Sequence, residues 1–241
     1  MDHPRTDALP PPVPSSGDGP VTGPELTDGE LCDRYARVST AAVNDVLRAG
    51  GLTRQVIPHA IVPVRDDMRL SGTAFTIKGA KSLQLDGEME ERAAMLEEIP
   101  EHSICVWDTS GDDESAQWGE VMTMAAQQKG CRGAVIDGGV RDTEKILDLG
   151  FPVYARYRTS NGMLGRFRMT GWQTEIRIGE VTIAPGDFMV GDLDGVIVVP
   201  RALAEETLIA AEKIEEDEVG IKQMVTSGLE PRKVVERGGY F

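Results

Sequence analysis

Two short stretches of this chain hold residue types that can do chemistry together. Gly119-Glu120-Val121-Met122 offers a carboxylate at a glycine-led turn. Asp137-Gly138-Gly139-Val140-Arg141-Asp142 offers an arginine beside a second carboxylate. Hard oxygen ligands of this kind suit a magnesium-like cation. A guanidinium next to them can form paired hydrogen bonds with a carboxylate or a developing oxyanion. Taken alone, Arg141-Asp142 also fits a helix-start ion pair, and Glu120 fits an acid favoured by a helix N-terminus.

The residues between the two stretches must position them. Val121, Met122, Met124, Ala125 and Ala126 predict a helix over 121–128 with one apolar side. Gly130 is placed to end it in a left-handed cap. Ala134-Val135-Ile136 predicts a short strand buried on both faces, which Asp137 and the two glycines then leave. Arg141 and Asp142 would fall where the next helix begins. Open α/β sheets bind ligands outside the carboxyl ends of such strands. Free amides at the start of the helix after Gly119 are a natural carboxylate site.

Composition narrows the function classes. The chain has 241 residues, 40% of them hydrophobic, enough for one sizeable core. Its formal net charge of −15 argues against a nucleic-acid-binding surface, which needs a basic footprint. A basic protein partner remains compatible with it. An acidic enzyme acting on an anion needs a local cation or metal to reverse the field. No apolar run is long enough for a membrane span, and the N-terminus lacks the apolar core of a secretory signal. Cys32, Cys105 and Cys131 have no CxxC spacing, which fits a reducing cytoplasm and buried free thiols. His3, His59 and His102 have no zinc-ligand spacing, and the glycines around 130–139 do not form GxGxxG.

Along the chain, residues 1–25 are rich in proline and predict a disordered arm ahead of one folded domain over 26–241. Thr27-Asp28-Gly29-Glu30 has capping-box spacing. A second helix is predicted over 40–49, and strands around 61–64, 72–77 and 104–107. Leu85 to Glu98 predicts a surface helix. A short helix near 146–149 leads to a strand at 152–155. Turn signals at Gly179-Glu180, Pro185-Gly186-Asp187 and Asp194-Gly195 predict a meander over 173–199. A long acidic helix from Arg201 to about Thr226 closes the fold. The order indicates a single α/β domain with a mixed sheet or two stacked sheets.

Four segments together resemble the RraA-like family, which includes class II aldolases acting on 4-hydroxy-4-methyl-2-oxoglutarate. They are Trp118 to Met122, Gly130 to Asp142, Gly150-Phe151-Pro152-Val153-Tyr154-Ala155, and Ile183 to Pro200 with its Pro185-Gly186-Asp187 and Gly191-Asp192-Leu193-Asp194-Gly195 turns. The resemblance implies a three-layer β/β/α swivelling-domain-like fold, and a trimer or dimer of trimers with the site at a subunit interface. It implies a divalent metal, Mg2+ or Mn2+, and a small anionic 2-oxo acid as substrate. The expected reaction is metal-dependent cleavage to pyruvate through a stabilised enolate, with oxaloacetate decarboxylation alongside. By the same resemblance Asp142 holds the metal, Arg141 contacts substrate, and Glu120 lies near the metal waters. Gly119 and the amides of Val121 and Met122 receive the pyruvyl carboxylate. A glutamate from a neighbour's C-terminal helix, among Glu215, Glu216 and Glu218, completes the outer ring.

The chain departs from the family pattern in places. Lys145 stands where an acid is frequent, Glu120 replaces an aspartate, and Val121-Met122 replaces Leu-Leu. The 81–100 stretch and Asp112-Asp113-Glu114 could reshape the pocket. Arg166-Phe167-Arg168 reads first as surface and second as an extra anion contact. The rival function is the one that names the family, a regulatory protein that inhibits a ribonuclease by contact. A methyltransferase reading finds no strand and glycine-rich loop for S-adenosylmethionine.

Overall fold

The structure is a computed structural model that describes residues 26–241. The predicted arm over 1–25 lies outside the described residues. Two capped helices open the fold. Helix α1 (Asp28–Tyr35) carries the complete Thr27/Glu30 capping box, and α2 (Thr40–Ala49) is capped by the Ser39 hydroxyl. Strands β1 (Val62–Pro63) and β2 (Leu70–Lys81) precede α3 (Glu88–Glu97) and β3 (Ser103–Asp108). The central unit is β4 (Ala116–Trp118), α4 (Glu120–Gln128), β5 (Gly133–Val140), α5 (Thr143–Asp148) and β6 (Val153–Arg158). Then come β7 (Phe167–Trp172), β8 (Ile176–Ile178), β9 (Val181–Ile183), β10 (Phe188–Asp192) and β11 (Gly195–Val199). A 3-10 turn at Arg201–Leu203 leads into α6 (Ala204–Thr226), and α7 (Pro231–Glu236) is the last element.

Nine strands form one mixed sheet in the order β1-β6-β5-β3-β2-β10-β11, with β4 added beside β5 and β7 beside β2. The β2, β3, β5 and β6 neighbours run parallel, and β1, β7, β10 and β11 join antiparallel. The β8–β9 hairpin forms a second small sheet. It buries Ile176, Ile178, Val181 and Ile183 in the main core, so a β layer and a helical layer both cover the sheet. This is a mixed α/β single domain, as anticipated.

The period of two in the last strands explains how the closing helices attach. Phe188 and Val190 of β10, with Ile197 and Val199 of β11, pack against Tyr35, Val43, Leu47, Leu208 and Ala211 of α1, α2 and α6. The alternate residues Met189, Val196 and Val198 point into the main core. Asp192 then fastens the hairpin to α2: its buried carboxylate accepts from the Thr40 amide (2.9 Å), the Thr40 hydroxyl (2.8 Å) and the Asp194 amide (3.0 Å).

Two expectations are corrected. The strand predicted to stop at Ile136 runs on to Val140, with an irregularity between Ile136 and Gly139 opposite β6. Its glycines are required by close packing: a Cβ at Gly138 would lie 2.4 Å from Gln117 Oε1, and one at Gly139 would lie 2.5 Å from the Ser115 carbonyl. Helix α4 does not have a single apolar side. Met122 and Ala126 are buried, whereas Val121 and Met124 are exposed. Helix α3 lies on the surface, as its charged, amphipathic sequence predicts, and packs one face on β7 and α4, burying Glu88 and Met95. No helix among the described residues is long and apolar enough to cross a membrane.

Candidate active site

Gly119 begins α4 and Asp142 begins α5, and the sheet brings the two helix starts together. Strand β4 pairs with the end of β5, and the Arg141 amide donates to the Trp118 carbonyl at 3.0 Å. Trp118 Nε1 donates to Thr123 Oγ1 (2.8 Å), which donates to the Gly119 carbonyl (3.0 Å), so the turn is fixed from inside. Gly119 is extended (φ −164°) and tolerates any residue as backbone. Its missing side chain matters for space: a Cβ there would lie 2.9 Å from Asp142 Oδ2 and 3.3 Å from Arg141 Cγ. A second glycine, Gly162, makes room for Arg141, since its Cβ would lie 2.8 Å from Arg141 Nη1.

Asp142 adopts a left-handed backbone (φ 55°), uncommon for a residue other than glycine. Such outliers persist where the surroundings fix them and often mark functional sites. Its Oδ2 stands 3.5 Å from Arg141 Nε. Glu120 Oε2 pairs with Lys145 Nζ at 2.9 Å, and this contact raises the Lys145 pKa. Lys145, the departure from the family pattern, is therefore the partner of the loop acid.

Gly119, Glu120, Arg141 and Asp142 line a cavity of about 500 Å3. The first-turn residues of α4, Glu120, Val121 and Met122, line it, and their amides are those of a helix start. They have no intrahelical acceptor, and glycine offers no side-chain cap. Met89, Arg92, Ala93 and Leu96 of α3 form one wall, and the segment from Gly162 to Arg166 forms another. Arg92, Arg141 and Arg166 thus bring three guanidinium groups to a cavity with two carboxylates, on a chain of net charge −15. That is the local reversal of field an anionic ligand needs.

The sequence-predicted residues Gly119, Glu120, Val121, Met122, Arg141 and Asp142 all meet at this cavity. Arg166 joins them, while Arg168 instead pairs with Glu91 at 2.7 Å. Asp112 is buried away from the cavity, accepting from the Ser115 amide and Gln117, and Asp113 pairs with Lys81. Within one chain, none of Glu215, Glu216 and Glu218 lines the cavity. Glu215 accepts from the Ser39 amide at 2.7 Å, and Glu218 pairs with Lys222 at 2.7 Å. Sequence reasoning missed Arg92. Its only signal was a cation four residues after Glu88 on a helix read as surface.

No group of three or more His, Cys, Asp and Glu side chains gathers to hold a metal among the described residues. The donors that are present still fit magnesium. That ion retains several waters and is commonly bound through one or two carboxylates plus substrate oxygens. Asp142 supplies a half-exposed carboxylate at the cavity, in the space that Gly119 leaves free, with Glu120 on the adjoining helix start.

Comparison with known proteins gives the family. A Halalkalibacterium halodurans protein provisionally named 4-hydroxy-4-methyl-2-oxoglutarate aldolase is 29% identical over 203 residues, covering 83% of this chain and 90% of its own length. Protein DlpA of Legionella pneumophila is 28% identical over 198 residues, 82% of this chain, but this chain spans only 32% of DlpA. Among solved structures, one described as novel cellulases from gut-associated microbes is 47% identical with a TM-score of 0.79, covering 83% of this chain and 90% of that one. Streptomyces coelicolor RraAS2, described as an unusual member of the RNase ES inhibitor RraA family, is 26% identical with a TM-score of 0.74, covering 82% and 99%. Residues 40–198 match the family described as RraA-like, Aldolase/RraA, and the chain belongs to that family.

Proposed function

We propose that this protein is a divalent-metal-dependent lyase that releases pyruvate from a 4-hydroxy-2-oxo acid such as 4-hydroxy-4-methyl-2-oxoglutarate, and that it decarboxylates oxaloacetate. The observation that carries this reading is the meeting of the α4 amide terminus, the Asp142 carboxylate and the Arg141 guanidinium around the vacant Cβ position of Gly119. Asp142 would hold magnesium or manganese, with Glu120 reaching it through water. When bound, the metal supplies Lewis acidity at the 2-keto oxygen.

The chain's own residues account for the rest. The amides of Val121 and Met122 bind the pyruvyl carboxylate at the helix start. Arg141 donates to the 2-keto oxygen as it gains negative charge. Cleavage breaks the C3–C4 bond, its electron pair passes into the enolate, and the 4-hydroxyl proton leaves toward the Glu120 carboxylate. Protonation at C3 then gives pyruvate. In oxaloacetate the same bond breaks with loss of carbon dioxide, and the same enolate results.

The exposed apolar residues Met89, Val121 and Leu164 rim the cavity. They support a homotrimer, or a dimer of trimers, in which a neighbour covers this rim and brings one of Glu215, Glu216 or Glu218. Three free, buried cysteines accord with a cytoplasmic setting. A cellulase reading, prompted by the name of one relative, has less support, because a neutral glycan offers no anion to three arginines. The RraA-type regulatory reading, in which the chain binds and inhibits a ribonuclease without catalysis, draws on the likeness to RraAS2 and on the acidic surface.

The test couples pyruvate release to lactate dehydrogenase, with 4-hydroxy-4-methyl-2-oxoglutarate and oxaloacetate as substrates, in magnesium and in EDTA. Turnover of both in magnesium and of neither in EDTA is expected. Absence of turnover with either, together with a tight ribonuclease complex in a pull-down, would favour the regulatory reading.

A further inference from the structure

Cys105 and Cys131 are 26 residues apart in sequence, and their thiols meet in the core. Cys105 stands mid-strand in β3 and is fully buried. Cys131 lies in the short link between α4 and β5 and is 5% exposed. The two Sγ atoms are 3.7 Å apart, in van der Waals contact. A disulfide holds its sulfurs about 2.05 Å apart, so closure needs an approach of roughly 1.7 Å, which rotation about the two Cα–Cβ bonds can share. The two thiols differ in surroundings. Cys131 Sγ faces the carbonyls of Ser103 (3.2 Å) and Gly133 (3.3 Å) as well as the Cys105 sulfur. The Cys105 thiol beside it brings the Cys131 pKa down to about 7, whereas burial pushes Cys105 well up. An acidic thiol against a protonated one is the asymmetry of a reacting and a resolving cysteine. Cys32 lacks such a neighbour in sulfur: it is fully buried near the His102 carbonyl, and burial pushes its pKa up to about 11.

Independently of the lyase reading, we propose that Cys105 and Cys131 are a reversible redox pair, which a small hydroperoxide oxidises to an intramolecular disulfide with Cys131 as the reacting thiol and Cys105 as the resolving one. The Cys131 thiolate attacks a peroxide oxygen. An S–O bond forms, the O–O bond breaks, and the departing hydroxide leaves as water once protonated. The Cys105 sulfur then attacks the Cys131 sulfenic acid. The S–S bond forms, the S–O bond breaks, and the departing hydroxide takes the Cys105 proton to leave as a second water. Two thiols are oxidised by two electrons in total, and one hydroperoxide is reduced. A thiol reductant reopens the bridge by exchange. The bridge closes a covalent loop around β4 and α4, the segment that brings Gly119, Glu120 and Met122 to the candidate site.

The experiment exposes the full native chain to hydrogen peroxide, quenches it with acid, and labels the remaining thiols with N-ethylmaleimide in denaturant. Trypsin cuts after Lys129 and Arg132, so Cys131 leaves in the tripeptide Gly130-Cys131-Arg132, apart from the peptide that holds Cys105. The expected map shows that tripeptide joined to the Cys105 peptide, two hydrogens below their summed mass, with the label on Cys32 alone. Dithiothreitol before labelling should restore label to all three cysteines. Full labelling of the native chain, under exposure that oxidises the urea-unfolded chain, would overturn the proposal. A bridge to Cys32, or oxidation of Cys32 ahead of the pair, would overturn it as well. Cys105→Ala leaves Cys131 without its resolving partner and is expected to accumulate sulfinic acid there, a gain of two oxygens. Oxidation of Cys105 in Cys131→Ala at the wild-type rate would overturn the assignment of the reacting thiol. The wild-type map requires no substitution, so it decides the bridge even if a variant fails to fold.

Discussion

At the scale of single residues, Gly119 and Asp142 occupy adjoining space. Gly119→Ala is predicted to push the Asp142 carboxylate aside, because the new methyl would lie 2.9 Å from Oδ2. The backbone is extended there, so folding should barely change. Misplacement of this order can cost about a hundredfold in rate, so kcat/KM should fall by about that factor with Tm nearly constant. Steady-state kinetics beside a thermal melt decide the matter, and full activity in the variant would mean that Asp142 does not need this position. Much of this constellation was legible from residue types, since a glycine-led acid and an Arg-Asp pair stand on either side of a recognisable helix and strand. Arg92 was not legible. Its position depends on a buried acid one turn earlier and on a cavity wall formed by chain packing, neither of which leaves a local pattern.

At the scale of elements, the hairpin of β10 and β11 ties the closing helices to the sheet through Asp192. Asp192→Ala removes an anionic acceptor from three donors, and the Thr40 amide loses its partner at the start of α2. A loss of about 3 kcal/mol is expected, seen as a lower urea midpoint at unchanged slope. A change below about 1 kcal/mol would mean that water replaces the carboxylate. The strands with strong apolar runs were readable in advance, as were the helices with caps at Thr27 and Ser39. Strands β4 and β7 were not. Ala116-Gln117-Trp118 is only three residues long and is held by pairing with β5. Phe167–Trp172 alternates Phe, Met and Trp with Arg, Thr and Gly over a short span and is held by pairing with β2. The extension of β5 through Gly138 and Gly139 was hidden because glycine pairs ordinarily signal a turn, whereas here they admit Gln117 and Ser115.

At the scale of the whole molecule, charge and apolar surface pull toward different partners. The formal net charge is −15, yet three arginines line one cavity. Around that cavity Val121 is 75% exposed and Leu164 48% exposed, as unfavourable for an isolated chain as it is useful at an interface. Sedimentation velocity is predicted to give a mass about three times that of the chain, or six times if two trimers associate. A Val121→Glu variant should shift the mass toward the monomer, because charge is disfavoured in the core of an interface. A wild type that sediments as a monomer would leave the rim uncovered and remove the basis for a glutamate supplied by a neighbour.

The role of Asp142 in metal-dependent cleavage is tested by comparing wild type and Asp142→Ala in the coupled pyruvate assay, with oxaloacetate and 4-hydroxy-4-methyl-2-oxoglutarate in saturating magnesium. Magnesium-dependent turnover by the wild type is expected, with a fall of about a hundredfold or more in kcat/KM for the variant, roughly 3 kcal/mol of lost transition-state stabilisation. Undiminished magnesium-dependent turnover by Asp142→Ala would contradict that role.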